Sequence, residues 1–170
     1  ATLEGIAERA GLHVQTLYRH FGSKVELAAA GEETQLDHFR GAIRDENREG
    51  STIEFWRQYL GGLAHRVTDR DGGRSYRDVL PYELESPDVS LRTAQLSPEC
   101  KDLLAGSLEE DLSIEDSEER RNTARLIVIT LWGAHEYVMA RYDQDVGFDL
   151  ATESVAMIDR VEQLFAHLLQ

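Results

Sequence analysis

A chain of 170 residues that is 41% apolar and 29% charged is long enough for a domain with a real core, and its three prolines and long periodic segments point to an all-α fold. No apolar run approaches the ~20 residues of a membrane span, the opening residues do not read as a basic-then-apolar leader, and the single cysteine, Cys100, excludes an internal disulfide, so a soluble, cytoplasmic protein is expected. The net charge of −14 argues at first against nucleic acid, but residues 1 to 27 sum to zero, with Arg9, Arg19 and Lys24 against Glu4, Glu8 and Glu26, so the acidity lies in the remainder.

The chain opens on Thr2 as a helix N-cap, followed by Leu3, Ile6, Ala7 and Ala10 at helical spacing, until Gly11 supplies a left-handed residue that ends the helix. A second helix is predicted from about His13 to Phe21, with Leu17 and Phe21 turned to a core. Ser23 and Glu26 form a capping box that opens a third. Helix, glycine turn, helix is the helix-turn-helix pattern, whose second helix enters the DNA major groove. The third helix is expected to run to about Arg48 through Leu27, Ala30, Leu36, Phe39 and Ile43, with Gly31 and Gly41 each costing up to ~1 kcal/mol relative to alanine.

Asn47 to Gly50 reads as a break, and Ser51 with Glu54 caps a helix over Thr52–Thr68. Aspartates and glycines in residues 69–73 mark a loop. A short helix over Ser75–Glu85, interrupted by Pro81, comes next, and Ser86-Pro87 and Ser97-Pro98 each resemble an N-cap with a first-turn proline, so two further helices are expected there. The helix over about 118–142 is apolar nearly all round, with Ala124, Ile127, Val128, Leu131, His135 and Val138 on one face and Leu126, Ile129, Gly133, Tyr137 and Ala140 on others. A last helix over about 150–169 repeats apolar residues at i, i+3 and i+4. These two helices carry more apolar surface than one small core readily absorbs, which points to a homodimer built from them.

Thr2, Ile6, Ala7, Ala10, Gly11, Thr16, Leu17, Tyr18, His20, Phe21, Ser23, Lys24 and Leu27 match in spacing and type the DNA-binding signature of the TetR-like transcriptional regulators, which the chain resembles. The resemblance implies a DNA-binding helix-turn-helix with connecting helix over 1–46 and a helical ligand-binding and dimerisation domain over 47–170. It also favours pairing through the last two helices. In that family a helix and a basic arm precede this point, so a chain that opens on Ala1 at a helix cap is expected to hold an incomplete reader.

On the second helix, His13, Val14, Gln15 and Thr16 occupy the first turn, which meets base edges in helix-turn-helix proteins. Gln15 suits an adenine edge, Thr16 offers a hydroxyl and a methyl, and Val14 suits a thymine methyl. The resemblance makes Tyr18 and His20 backbone contacts. Lys24 and Thr2, each at a helix start, suit phosphates, and Arg19 is exposed by periodicity. The partners expected are thus a two-fold symmetric duplex operator, a second copy of the chain and a small-molecule effector that releases the DNA, as in a repressor.

Candidate effector contacts are Trp56, Tyr59, His65, Tyr76, Tyr82, Trp132, His135, Glu136 and Met139, the aromatic and polar side chains of the middle helices. His135, Glu136 and Tyr137 within an apolar helix stand out, because buried polar groups need partners. The rival readings are a dimeric helical interaction module without an effector, and a small enzyme. No metalloprotease, phosphate-loop, nucleophile-elbow or dinucleotide-binding glycine pattern occurs, no Cys/His cluster has zinc spacing, and no cofactor or catalytic residue is assigned.

Overall fold

The computed structural model describes residues 2–68 and 87–169, without the side chains of 24, 25, 28, 29, 32, 66, 67 and 87–97. Among these residues the chain is all-α: α1 Leu3–Ala10, α2 Val14–His20, α3 Lys24–Ile43, α4 Thr52–Thr68, α5 Pro87–Asp111, α6 Ser117–Gln144 and α7 Leu150–Phe165. The expected loop over 69–73 and the expected helix over Ser75–Glu85 lie outside the described residues.

Local chemistry sets most of the boundaries. Thr2 Oγ1 accepts the Gly5 amide at 3.2 Å to cap α1. Gly11, at φ +65°, closes that helix by giving its amide to Glu8 at 3.2 Å, while Leu12 gives its own to Ala7 at 2.9 Å, the paired bonds of a Schellman turn. Ser23 caps α3 through the Glu26 amide, but the Glu26 carboxylate reaches back to Gly22 (2.7 Å) rather than to Ser23 itself. Ser51 likewise accepts the Glu54 amide, while the Glu54 carboxylate turns outward to Arg57 and Gln58.

Three expected boundaries are corrected. The third helix stops at Ile43 and not near Arg48, because the Asp45 carboxylate draws in the Asn47 amide at 2.9 Å and its carbonyl takes the Arg48 amide at 3.0 Å, a side-chain turn that outcompetes another helical turn. Ser97-Pro98 does not begin a new helix, for α5 runs unbroken through Pro98. An interior proline costs about 3 kcal/mol, and the helix is held across it by burial of Leu104, Ala105 and Leu108 against its neighbours. Finally, α7 ends at Phe165 and not Leu169: the Leu168 carbonyl leaves the helical pattern to accept the Ser113 amide at 3.2 Å, and Leu169 pairs with Leu112.

α3 and α6 pack on α5, and α7 packs on both α6 and α4. Their shared core joins Phe39 and Ile43 of α3, Ile53, Phe55, Trp56 and Leu60 of α4, Leu104 and Leu108 of α5, Ile127, Val128 and Leu131 of α6, and Ile158 and Val161 of α7. A smaller cluster around Ala64, Val138, Tyr142 and Leu150 extends it. Apart from these, Leu3, Ala7 and Leu17 bury one another with Ile6, Val14, Phe21 and Leu27 around them.

Polar ties lock the frame. Thr52 is buried and gives its amide to Asp111 at 2.6 Å while its hydroxyl meets Ser107 at 2.9 Å, fixing the start of α4 to the end of α5. Half-buried Arg57 bonds Glu54 in its own helix and reaches across to Asp159 at 2.9 Å and Glu162 at 2.7 Å on α7. Its three partners satisfy the guanidinium fork in a way that one carboxylate cannot.

Candidate functional site

The N-terminal helices present a defined face. Leu17 points inward onto Leu3 and Ala7, and the Gly11 turn sets the angle at which α2 crosses α1. With Leu17 inward, the opposite side of α2 is left to solvent: His13, Gln15, Tyr18, Arg19 and His20 are all exposed. Thr16 is half-buried, and Val14 is half-buried against the Leu17 cluster, so only part of each side chain faces outward. Thr2 is exposed at the α1 cap, and Lys24 is the first residue of α3, with its side chain outside the described set. The structure thus gathers His13, Gln15, Tyr18, Arg19 and His20 on one short exposed helix and its cap.

One contact on this surface carries no signal in the sequence. The Tyr18 hydroxyl donates to Glu4 Oε1 at 2.7 Å. That bond, with further hydrogen bonds from Glu4's own backbone and from Thr2, holds the Glu4 carboxyl below its usual range, and it raises the Tyr18 phenol above its own. Helical spacing cannot reveal the pair, since the two residues sit on different helices.

The effector candidates separate into two groups. Trp56, Tyr59, Trp132 and His135 come together between α4 and α6: Trp56 stacks on Trp132 with ring centres 5.4 Å apart and on Tyr59 at 6.0 Å, and meets His135 edge-on at 6.2 Å. Phe39 of α3 touches the same group, edge-on to Tyr59 at 4.9 Å, and the Lys101 ammonium lies 4.9 Å from the Trp132 ring centre. Trp56 is only 2% exposed, yet neither its Nε1 nor the buried Nδ1 of His135 has a hydrogen-bond partner among the described residues. Burial lowers the His135 pKa, against the smaller opposing effect of Glu136, and favours the neutral ring. The other candidates stand apart. His65 and Glu136 are exposed, Met139 packs into the Val138–Tyr142 cluster, and Tyr76 and Tyr82 lie outside the described residues.

α6 also carries an unpaired apolar stripe. Its inner face is buried along Ala124, Ile127, Val128, Leu131, Ala134 and Val138, but Leu126, Ile129 and Tyr137 are 54%, 64% and 54% exposed on the outer side, and Leu164 of α7 is 67% exposed. The described residues therefore bury one face of a helix whose sequence is apolar nearly all round. Among them no helix is long and apolar enough to cross a membrane, and no His, Cys, Asp or Glu residues form a group suited to a metal ion.

Among the described residues, a helix-turn-helix with an exposed second helix is joined by a long helix to a helical body, an arrangement suited to a DNA-binding regulator. Comparison with known proteins specifies the type: residues 1–30 match the family of bacterial regulatory proteins, tetR family. The chain is also 25% identical over 156 residues, 90% of its own length and 69% of the relative's, to the HTH-type transcriptional activator FasR of Mycolicibacterium smegmatis. The chain is thus similar to the tetR family of regulators in its first 30 residues and to one transcriptional activator over most of its length. No solved structure matches the chain.

Proposed function

We propose that the protein is a ligand-responsive regulator that acts in the cytoplasm and binds a two-fold symmetric DNA operator as a homodimer. Residues 1–46 form the reader with its connecting helix, and 47–170 the regulatory and dimerisation body. The observation that carries the reading is the exposed face of α2, which sets Gln15, Tyr18 and Arg19 opposite a buried Leu17 in a segment that matches the tetR family. Gln15 reads a base edge with His13, Val14 and Thr16 beside it in the same turn. Tyr18, Arg19, His20, Thr2 and Lys24 hold the backbone.

The exposed stripe of Leu126, Ile129 and Tyr137, with Leu164 beside it, supports pairing through α6 and α7. The unpartnered Trp56 and His135 nitrogens support an effector site between α4 and α6, where a polar group on an otherwise apolar molecule satisfies both. Phe39 supplies the coupling. It touches Trp56 and Tyr59, and it belongs to α3, whose first turns pack through Leu27 on the reader. An effector that shifts the aromatic group displaces α3, and with it the spacing of two readers in a dimer, to the extent that it binds one arrangement more tightly.

Effector-driven release of DNA makes the protein a repressor. The Mycolicibacterium relative is by name an activator, which favours a second reading, activation, with the same parts. Selecting DNA targets with the full-length protein, then screening small molecules for release of the selected duplex, tests the proposal. An enriched palindrome is expected. With no enrichment and no salt-dependent binding, a dimeric interaction module takes its place. Transcription in vitro with and without the protein then gives the sign.

A further inference from the structure

Tyr18 is an exposed hydroxyl donor at the edge of the reader, and in the free protein it is engaged by a carboxylate. The Tyr18 hydroxyl lies 2.7 Å from Glu4 Oε1 and donates to it. Glu4 also sits in the first turn of α1, at the positive end of the helix dipole. A carboxylate in this position offers the Tyr18 hydroxyl what a phosphate offers: a negatively charged oxygen at O–H···O distance.

We infer that Glu4 is an internal stand-in for a DNA phosphate. It occupies the Tyr18 hydroxyl in the free protein, so docking on DNA requires Glu4 to release it and leaves its own negative charge against the backbone. Both effects weaken binding, and neither depends on base identity. Glu4 thereby sets how tightly the reader holds any duplex, while Gln15 and its neighbours set which duplex is preferred. The tie also orients the Tyr18 ring while no DNA is bound, so Glu4 acts on DNA through its partner rather than by touching a base. The inference rests on α1 and α2 being the DNA reader.

The test measures anisotropy of labelled duplexes, one carrying the selected operator and one scrambled, with the full-length protein over a range of salt. Glu4→Ala and Glu4→Gln are each expected to tighten both duplexes by about threefold or more at low salt, with the gain fading as salt screens the charge. In a Tyr18→Phe background the gain from Glu4→Ala should shrink by at least half on a logarithmic scale, because no hydroxyl remains to be released. If Glu4→Ala leaves affinity unchanged or lowers it, or gives the same gain with and without the Tyr18 hydroxyl, the stand-in role is overturned while the reader stands. Wild-type protein that shows no salt-dependent binding overturns both.

Discussion

Ile129 offers the sharpest handle on assembly. It is 64% exposed in the single chain, midway along the outer stripe of α6. Full burial of an isoleucine side chain is worth about 1.5–3 kcal/mol, so covering the exposed part in a dimer contributes roughly 1–2 kcal/mol per protomer, or roughly 2–4 kcal/mol for the symmetric pair. Ile129→Glu removes that contribution and brings two like charges toward the dyad, which adds a desolvation and repulsion penalty of the same sign. The dissociation constant should therefore rise by roughly 30- to 700-fold or more. Sedimentation over a concentration series reads the change directly, and the same variant should bind a single half-site more nearly as well as the full operator. The substitution faces solvent in the monomer, so the melting of the helical body at low concentration should move little. An Ile129→Glu protein that dimerises at the wild-type midpoint would remove the outer face of α6 from the interface and refute the reasoning.

Three more expectations concern the frame and its titration. Arg57→Ala should destabilise the body by about 1–2 kcal/mol in urea unfolding at low salt, less than a fully buried pair because Glu54, Asp159 and Glu162 are 41%, 48% and 42% exposed; an equal loss at high salt would mean that packing and not charge is what Arg57 supplies. Gly11→Ala should cost about 1–2 kcal/mol through the left-handed backbone alone, since nothing lies within 4 Å of the added methyl, and thermal melts of the variant check it. His135 is held neutral by burial, so its folded pKa lies below the unfolded value; the unfolded chain then binds the extra proton, and stability falls as pH drops through the range near 6.5 toward the folded value. That slope is at most about 1.4 kcal/mol per pH unit for one proton, and His135→Phe should remove it; an unchanged pH profile would show that the ring is not desolvated.

Interactions that span only a few residues are legible in the order of the amino acids. The caps at Thr2, Ser23 and Ser51, the left-handed close at Gly11 and the start of α4 all depend on groups three or four positions apart, so residue type and spacing decide them. The helix-turn-helix is legible for the same reason: it is one short stretch in which the buried Leu17 specifies which side of α2 is left exposed. The apolar excess of α6 is also legible, because a helix apolar all round cannot satisfy itself with one neighbour.

What sequence order alone misjudges is every case in which a distant group outweighs a local preference. Pro98 reads as a helix start, yet α5 passes through it because Leu104 and Leu108 are buried in the shared core. The last turn of α7 is given up because Ser113 claims the Leu168 carbonyl. Only the tertiary structure decides that Trp56, Tyr59, Trp132 and His135 meet while His65 and Glu136 face water, and that Glu4 sits on Tyr18. The division is physical. Backbone hydrogen bonds within a helix and at its caps are short-range and encoded in neighbouring residues, whereas burial and side-chain pairing depend on which helix faces bury each other, and that is settled only when the whole chain packs.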